Sequence, residues 1–355
     1  MKYNFSAGPA ILPKEVMEEA GKAAINFNNS GLSILEISHR SKDFIAVMDQ
    51  AVQLVKDLLS LSSDYEVIFI SGGASSQFFM VPMNFLDENG KAAYVDSGVW
   101  ANKAIKEAKL FGQVDVVASS KDENYSYIPK GFSVDSQNTY LHLTSNNTIY
   151  GTQLHHFPET EVPLIADMSS DIFSRAFDVN KFDLIYAGAQ KNMGPAGTTL
   201  VIVKKSALGK VRRSIPSMLK YETHIDGGSM YNTPPVFPIY VSMLTMQWLK
   251  NNGGIEAIQK INEEKAALLY NEIDRNPLFV GTARKEDRSN MNVCFLLKDS
   301  SQEPAFNEMC KSAGCVGLAG HRSVGGFRAS IYNAMPKDAI QVLVDIMREF
   351  ERKNG

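Results

Sequence analysis

A chain of 355 residues exceeds the roughly 100–200 residues of one ordinary domain, so one large unit with a smaller one is expected. With 44% hydrophobic and 21% charged residues it has the composition of a globular protein able to bury a sizeable core. A net charge of −3 and the lack of a basic stripe argue against nucleic acid or an anionic membrane as a partner.

From the N-terminus, residues 1–12 (MKYNFSAGPAIL) read as a Gly-Pro loop, with neither an apolar secretory core nor an Arg-rich transit face. Pro13 stands where a first helical turn would begin and leads a helix over 15–27. Apolar residues Ile45, Met48, Val52, Val55 and Leu59 predict a second helix over 44–59. Strands and helices then alternate: strand 67–70, a glycine loop and a helix through 78–85, strand 92–95, helix 101–111, strand 114–118. Strands over 140–143, 163–166, 184–187 and 199–203 follow, most of them near-continuous apolar runs. Such runs are buried on both faces, as in mostly parallel sheets covered by helices. A helix over 234–249 stops at Asn251-Asn252-Gly253-Gly254. Beyond it come a charged amphipathic helix over 255–274, strands over 293–297 and 328–332, and a terminal helix from Pro336. The expected fold is α/β: a large domain over 16–254 and a small α+β domain over 255–355, with segment 1–15 packing near the latter. No apolar run approaches the ~20 residues of a membrane-spanning helix. Cys294, Cys310 and Cys315 are too few and too irregularly spaced for a disulfide framework or a zinc site, which points to a cytoplasmic protein with reduced thiols.

Ligands of open α/β sheets bind outside the carboxyl ends of the strands, so chemistry is expected in the loops there. SGGASSQF (71–78) is a strand–glycine–helix turn whose free N–H groups suit an anion, although such turns are common. Trp100 follows the next strand and offers a flat face, although a tryptophan in the core is the more frequent case. Asp167 ends an apolar strand, where a carboxylate is costly unless a cation or a hydrogen-bond donor meets it; a turn or cap aspartate is the bland alternative. Lys191 lies just past the strand over 184–187, in YAGAQKNMGPAG (186–197). Gly194 and Gly197 there read as leaving room for a cofactor and a partner subunit. No metal-ligand set is legible, His142, His155 and His156 read as structural or surface residues, and no G-x-S-x-G is present. An anion loop, a stacking aromatic, a carboxylate for a ring nitrogen and an amine for an aldehyde together make the set that pyridoxal phosphate requires.

NFSAGPAILP (4–13), EISHRSKDF (36–44), YAGAQKNMGPAG, GSMYNTPP (228–235) and GHRSVGGFRASIYNAMP (320–336) resemble the class V aminotransferases, among the fold-type I pyridoxal-phosphate enzymes. The resemblance runs from the first loop to the terminal helix. It implies reversible transamination between glutamate and 3-phosphohydroxypyruvate, giving O-phosphoserine and 2-oxoglutarate in serine biosynthesis; some such enzymes also accept a phosphorylated hydroxythreonine on the route to pyridoxine. It implies that Lys191 holds the cofactor aldehyde, Asp167 pairs with the ring nitrogen, Trp100 stacks on the ring and Thr148 hydrogen-bonds it. Ala74, Ser75 and Gln190 would cradle the phosphate, with Asn232 and Thr233 supplied by the neighbouring subunit of a homodimer with shared active sites. His39, Arg40, His321 and Arg322 would bind the distal phosphate or carboxylate, and Arg328 the α-carboxylate. Separated cationic forks suit a substrate that is anionic at both ends. Ser75 stands where many such enzymes carry an arginine for the substrate phosphate, and Ala7 where some carry a serine. The competing expectations are a small oxo-acid aminotransferase, a cysteine desulfurase and a non-enzymatic phosphate-ligand module. The desulfurase needs a cysteine on a mobile loop, whereas Cys310 lies in an expected helix and Cys315 before an apolar turn.

Overall fold

The computed structural model describes residues 2–355; Met1, the first residue of segment 1–15, lies outside the described residues. A seven-stranded sheet runs in the order Tyr65–Ile70, Thr199–Lys204, Leu184–Gly188, Leu164–Asp167, Leu141–Thr144, Lys91–Asp96, Gln113–Ser119. Thr199–Lys204 is antiparallel to both neighbours, and the remaining pairs are parallel. Helices cover both faces, which is why Leu164–Asp167 is buried throughout and Leu184–Gly188 through Ala187.

Helix Lys42–Leu59 starts at Ser41, whose hydroxyl accepts from the Phe44 amide, and ends at Ser60 in the left-handed region. It buries Phe44, Val47, Met48, Ala51, Leu54 and Val55 against helix Val236–Asn251. The buried stripe is thus centred on Val47 and Ala51, and Ile45, expected inside, is exposed.

A three-stranded antiparallel sheet, Phe279–Gly281, Asn292–Leu297 and Phe327–Ser330, packs with helices Gly254–Arg275, Glu303–Ser312 and Lys337–Asn354 around a second core. Phe279–Gly281 has no counterpart in the sequence expectation, because a strand of three residues is too short to carry a period. At the other end of the chain, Tyr3–Asn4 pairs in parallel with Cys315–Val316, and Phe5 sits in this second core.

Strand Phe327–Ser330 is shorter than the expected 328–332 for a definite reason. Lys265, fully buried on Gly254–Arg275, donates its ammonium hydrogens to the carbonyls of Ile331 (3.0 Å), Tyr332 (2.8 Å) and Met335 (3.1 Å). Those carbonyls are therefore turned out of the ladder. Asn333, in the same segment, takes a bond from Asn262 (2.8 Å) and donates its backbone N–H to Asn192 (3.0 Å), next to Lys191. Among the described residues, no helix is long and apolar enough to cross a membrane.

Candidate active site

The parallel strands deliver their carboxyl ends to one edge of the large sheet. The register aligns Thr144 with Asp167 and Asp167 with Tyr186, so the residues after these strands converge. A cavity of about 360 Å³ lies there, and Ala74, Ser75, Trp100, Thr148, Asp167, Gln190, Lys191, His321 and Arg328 all line it.

One wall is the glycine turn. Gly72 and Gly73 both have positive φ (106° and 68°), and a Cβ on Gly72 would stand 2.7 Å from the Ser76 hydroxyl. Helix Gly73–Phe85 begins there with no side-chain cap, so its first N–H groups are left for an anion. Lys191 follows strand Leu184–Gly188 in a tight turn in which its own N–H and that of Gly194 both bond the Ala189 carbonyl (2.7 and 2.8 Å). Gly194 and Gly197 are required here chiefly by the approach of helix Val236–Asn251. A Cβ at Gly194 would collide with Ser242, and one at Gly197 would lie 2.6 Å from Pro238 Cγ.

The Lys191 ammonium donates to the Thr148 hydroxyl at 2.9 Å. Burial pushes its pKa down to about 8; Asp167 opposes that shift and Arg328 adds to it. Asp167 is buried, and burial raises its pKa despite hydrogen bonds from Ser169 and the charge of Lys191. Its Oδ1 accepts from both the Ser169 amide (2.9 Å) and the Ser169 hydroxyl (2.6 Å), while the same hydroxyl accepts from the Gly188 N–H (3.1 Å). Ser169 thus ties the end of Asp167's strand to the end of the neighbouring one. Beneath, Ser145 donates to the Asp167 carbonyl (3.1 Å) and to Asp171, which Arg175 neutralises at 3.1 Å. Two buried donors at the cavity, Trp100 Nε1 and Arg328 Nε, have no partner among the described residues.

Ser169 and Ser170 were not singled out from the sequence, because an acid followed by two serines at a strand end reads as an ordinary turn. Its signal is the D-x-S spacing itself, which lets the serine reach back to the carboxylate. Gly8 and Phe78, likewise unforeseen, also line the cavity, with Ala7 beside them. His39, Arg40, Asn232, Thr233 and Arg322 do not line it within the single chain; Arg40, Asn232, Thr233 and Arg322 are exposed and His39 is half-buried. His142 is a core residue, flanked by Tyr94 and Tyr186, bonded to the Tyr186 hydroxyl (2.9 Å) and held neutral by burial. Cys310 and Cys315 are buried, in helix Glu303–Ser312 and strand Cys315–Val316.

Comparison with known proteins agrees with this geometry. The family described as aminotransferase class-V matches residues 2–343. The chain is 64% identical over 353 residues to a phosphoserine aminotransferase of Flavobacterium psychrophilum, covering 99% of both chains. It superposes on the phosphoserine aminotransferase structure from Bacillus circulans subsp. alkalophilus with a TM-score of 0.97 at 47% identity, covering 100% of this chain and 99% of that one. A structure of phosphoserine aminotransferase with bound pyridoxal phosphate, from Trichomonas vaginalis, matches with a TM-score of 0.93 at 36% identity, covering 98% and 100%. The chain belongs to the class-V aminotransferase family, among the phosphoserine aminotransferases.

Proposed function

We propose that the protein catalyses reversible transamination between glutamate and 3-phosphohydroxypyruvate, with pyridoxal 5′-phosphate as cofactor. The observation that carries this reading is the meeting, in one cavity, of a lysine amine and a buried carboxylate with an uncapped helix N-terminus. The residues present fit the cofactor. The N–H groups of Gly73, Ala74 and Ser75 suit its phosphate, aided by Gln190; Trp100 suits its ring; and Asp167 has Oδ2 available for a ring nitrogen while Ser169 occupies Oδ1. When bound, the cofactor supplies an aldehyde for the amine exchange and a conjugated ring that accepts the electron pair left at Cα.

The chain's own groups do the rest. Lys191 would hold the cofactor by its aldehyde carbon, and its Nζ, when free, would take the Cα proton in one half-reaction and return a proton to Cα in the other. The depressed pKa suits that task, because a base that titrates near the working pH is both available and strong enough. Thr148 orients the amine. Asp167, a carboxylate kept from water, favours a protonated ring nitrogen opposite it. Arg328, held to the Thr148 carbonyl at 3.3 Å, presents a planar fork to the α-carboxylate that every substrate carries. His321 and Arg322 serve the distal anion.

Asn232, Thr233, His39 and Arg40 fit a second copy of the chain. They lie outside the chain's own cavity, beside exposed apolar residues Leu32, Leu35 and Tyr231. The reading is therefore a cytoplasmic homodimer in which each cavity is completed by its partner.

The test is a coupled assay with glutamate as donor and 3-phosphohydroxypyruvate, glyoxylate or pyruvate as acceptor. The expected result is rapid turnover of the phosphorylated acceptor alone. Comparable turnover of pyruvate or glyoxylate would overturn the assignment of the distal cationic residues to phosphate.

A further inference from the structure

Ser75 leaves the glycine turn without a cationic side chain. On the facing element, helix Val99–Ala108 carries Trp100 on its first turn and Lys103 one turn later, hence on the same face. The Lys103 ammonium lies 4.5 Å from the centroid of the Trp100 ring, and Trp100 lines the cavity. Lys103 is exposed and, among the described residues, meets no carboxylate, unlike Lys91, which pairs with Asp115 at 2.9 Å. Three cationic side chains bear on His321: Arg328, Arg322 and Lys103 add, in that order, to the burial that lowers its pKa. His321 Nδ1 accepts from the Ser323 N–H at 3.2 Å, which makes Nε2 the donor on that ring. Asp167 is the sole acid among the lining residues. Apart from Asp167 and Lys191, the charged lining side chain is Arg328, with His321 near it, and Lys103 stands next to the lining Trp100.

We infer that Lys103 is a specificity-determining residue: from the outer rim of the cavity it binds the distal phosphate of the oxo acid, beside His321 and Arg322. Trp100 gives the ammonium an apolar and π-rich rest that restrains it without neutralising it. A phosphate carrying a charge of about −1.5 to −2 at neutral pH gains more from this cation than the single charge of a carboxylate does. The inference rests on the transaminase reading above and extends it to the choice between a phosphorylated and a carboxylated distal end.

The experiment compares the wild-type holoenzyme with Lys103→Met, which keeps the stem over Trp100, and with Lys103→Arg. In Lys103→Met the KM for 3-phosphohydroxypyruvate is expected to rise about tenfold, that for glutamate at most about threefold, and Lys103→Arg to restore both. Binding of pyridoxal 5′-phosphate to the cofactor-stripped protein, followed by tryptophan fluorescence, is expected to be the same in all three. Equal changes in the two KM values, or no change in either, would overturn the assignment. So would a weakened cofactor affinity accounting for the loss, which would make Lys103 a support for Trp100. The two readings fail separately. A wild-type enzyme with no preference for the phosphorylated acceptor sinks the reading of a phosphorylated substrate, and an undiminished preference in Lys103→Met sinks only the role of Lys103.

Discussion

Two lysines of this chain are withdrawn from water, and they differ in what surrounds them. Lys265 is fully buried and burial pushes its pKa down to about 7, yet its three ammonium hydrogens each meet a backbone carbonyl. Lys191 is held at about 8, has a single partner in the Thr148 hydroxyl, and faces a cavity with a carboxylate at its floor. A depressed pKa is therefore not what marks the reactive amine, since burial lowers that of the lysine without chemistry as well. What marks it is donor capacity left over in a space a ligand can enter. Lys265 spends all of its capacity on fixing the segment that follows the Arg328 strand.

The sharpest way to break this comparison is to remove each amine. Lys191→Ala is expected to lower transamination by about 10⁴-fold and to abolish borohydride-fixable binding of pyridoxal 5′-phosphate, leaving the unfolding midpoint of the cofactor-stripped protein unchanged. Residual activity within a hundredfold of wild type would show that another group carries the proton. Lys265→Met should do the reverse. It leaves three buried carbonyls unpaired and costs about 3 kcal/mol, roughly a hundredfold in the folding equilibrium, with kcat lowered by less than about fivefold. Denaturant titration beside steady-state kinetics reads both effects; a stable variant with kcat down by orders of magnitude would place Lys265 in the chemistry. The smallest effect lies in pH. The amine attacks an aldehyde only as the free base, and Lys191 is lowered from 10.5 to about 8. The initial rate of cofactor loading should thus rise about tenfold from about pH 7 to 9 and level off above, where an ordinary lysine would still be climbing. Peptide mapping after borohydride should find the label on Lys191 and none on Lys265, which is sealed.

Most of the large sheet was legible because strands buried on both faces leave unbroken apolar runs, as at Leu184–Ala187. Asp167 and Lys191 stood out for the same reason, as charged residues where those runs stop. Ser169 did not, since its hydroxyl acquires meaning only once the neighbouring strand brings the Gly188 N–H within 3.1 Å. The end of strand Phe327–Ser330 was misplaced because it is set by Lys265, some sixty residues earlier in the chain, and no local pattern records a bond across that distance. Gly197 lines the cavity, in keeping with room for a cofactor, and packing against Ser242 and Pro238 demands both Gly194 and Gly197, which the sequence alone does not reveal. Contacts between distant segments are what a single sequence hides.

The strand Tyr3–Asn4, paired with Cys315–Val316, sets a timetable for synthesis. Ala7 and Gly8, which line the cavity, are made long before the strand that anchors them. The large sheet can form while the chain is still emerging from the ribosome, because its strands end at Lys204. Until residue 316 arrives, the wall contributed by Ala7 and Gly8 is tied to the edge of the large sheet through the Ala10 N–H and the Gln190 carbonyl (2.9 Å) but lacks its second anchor. The cavity is completed only once the segment through Arg328 has been made, so a nascent fragment that already holds Asp167 and Lys191 still lacks part of the enclosure that keeps water from them.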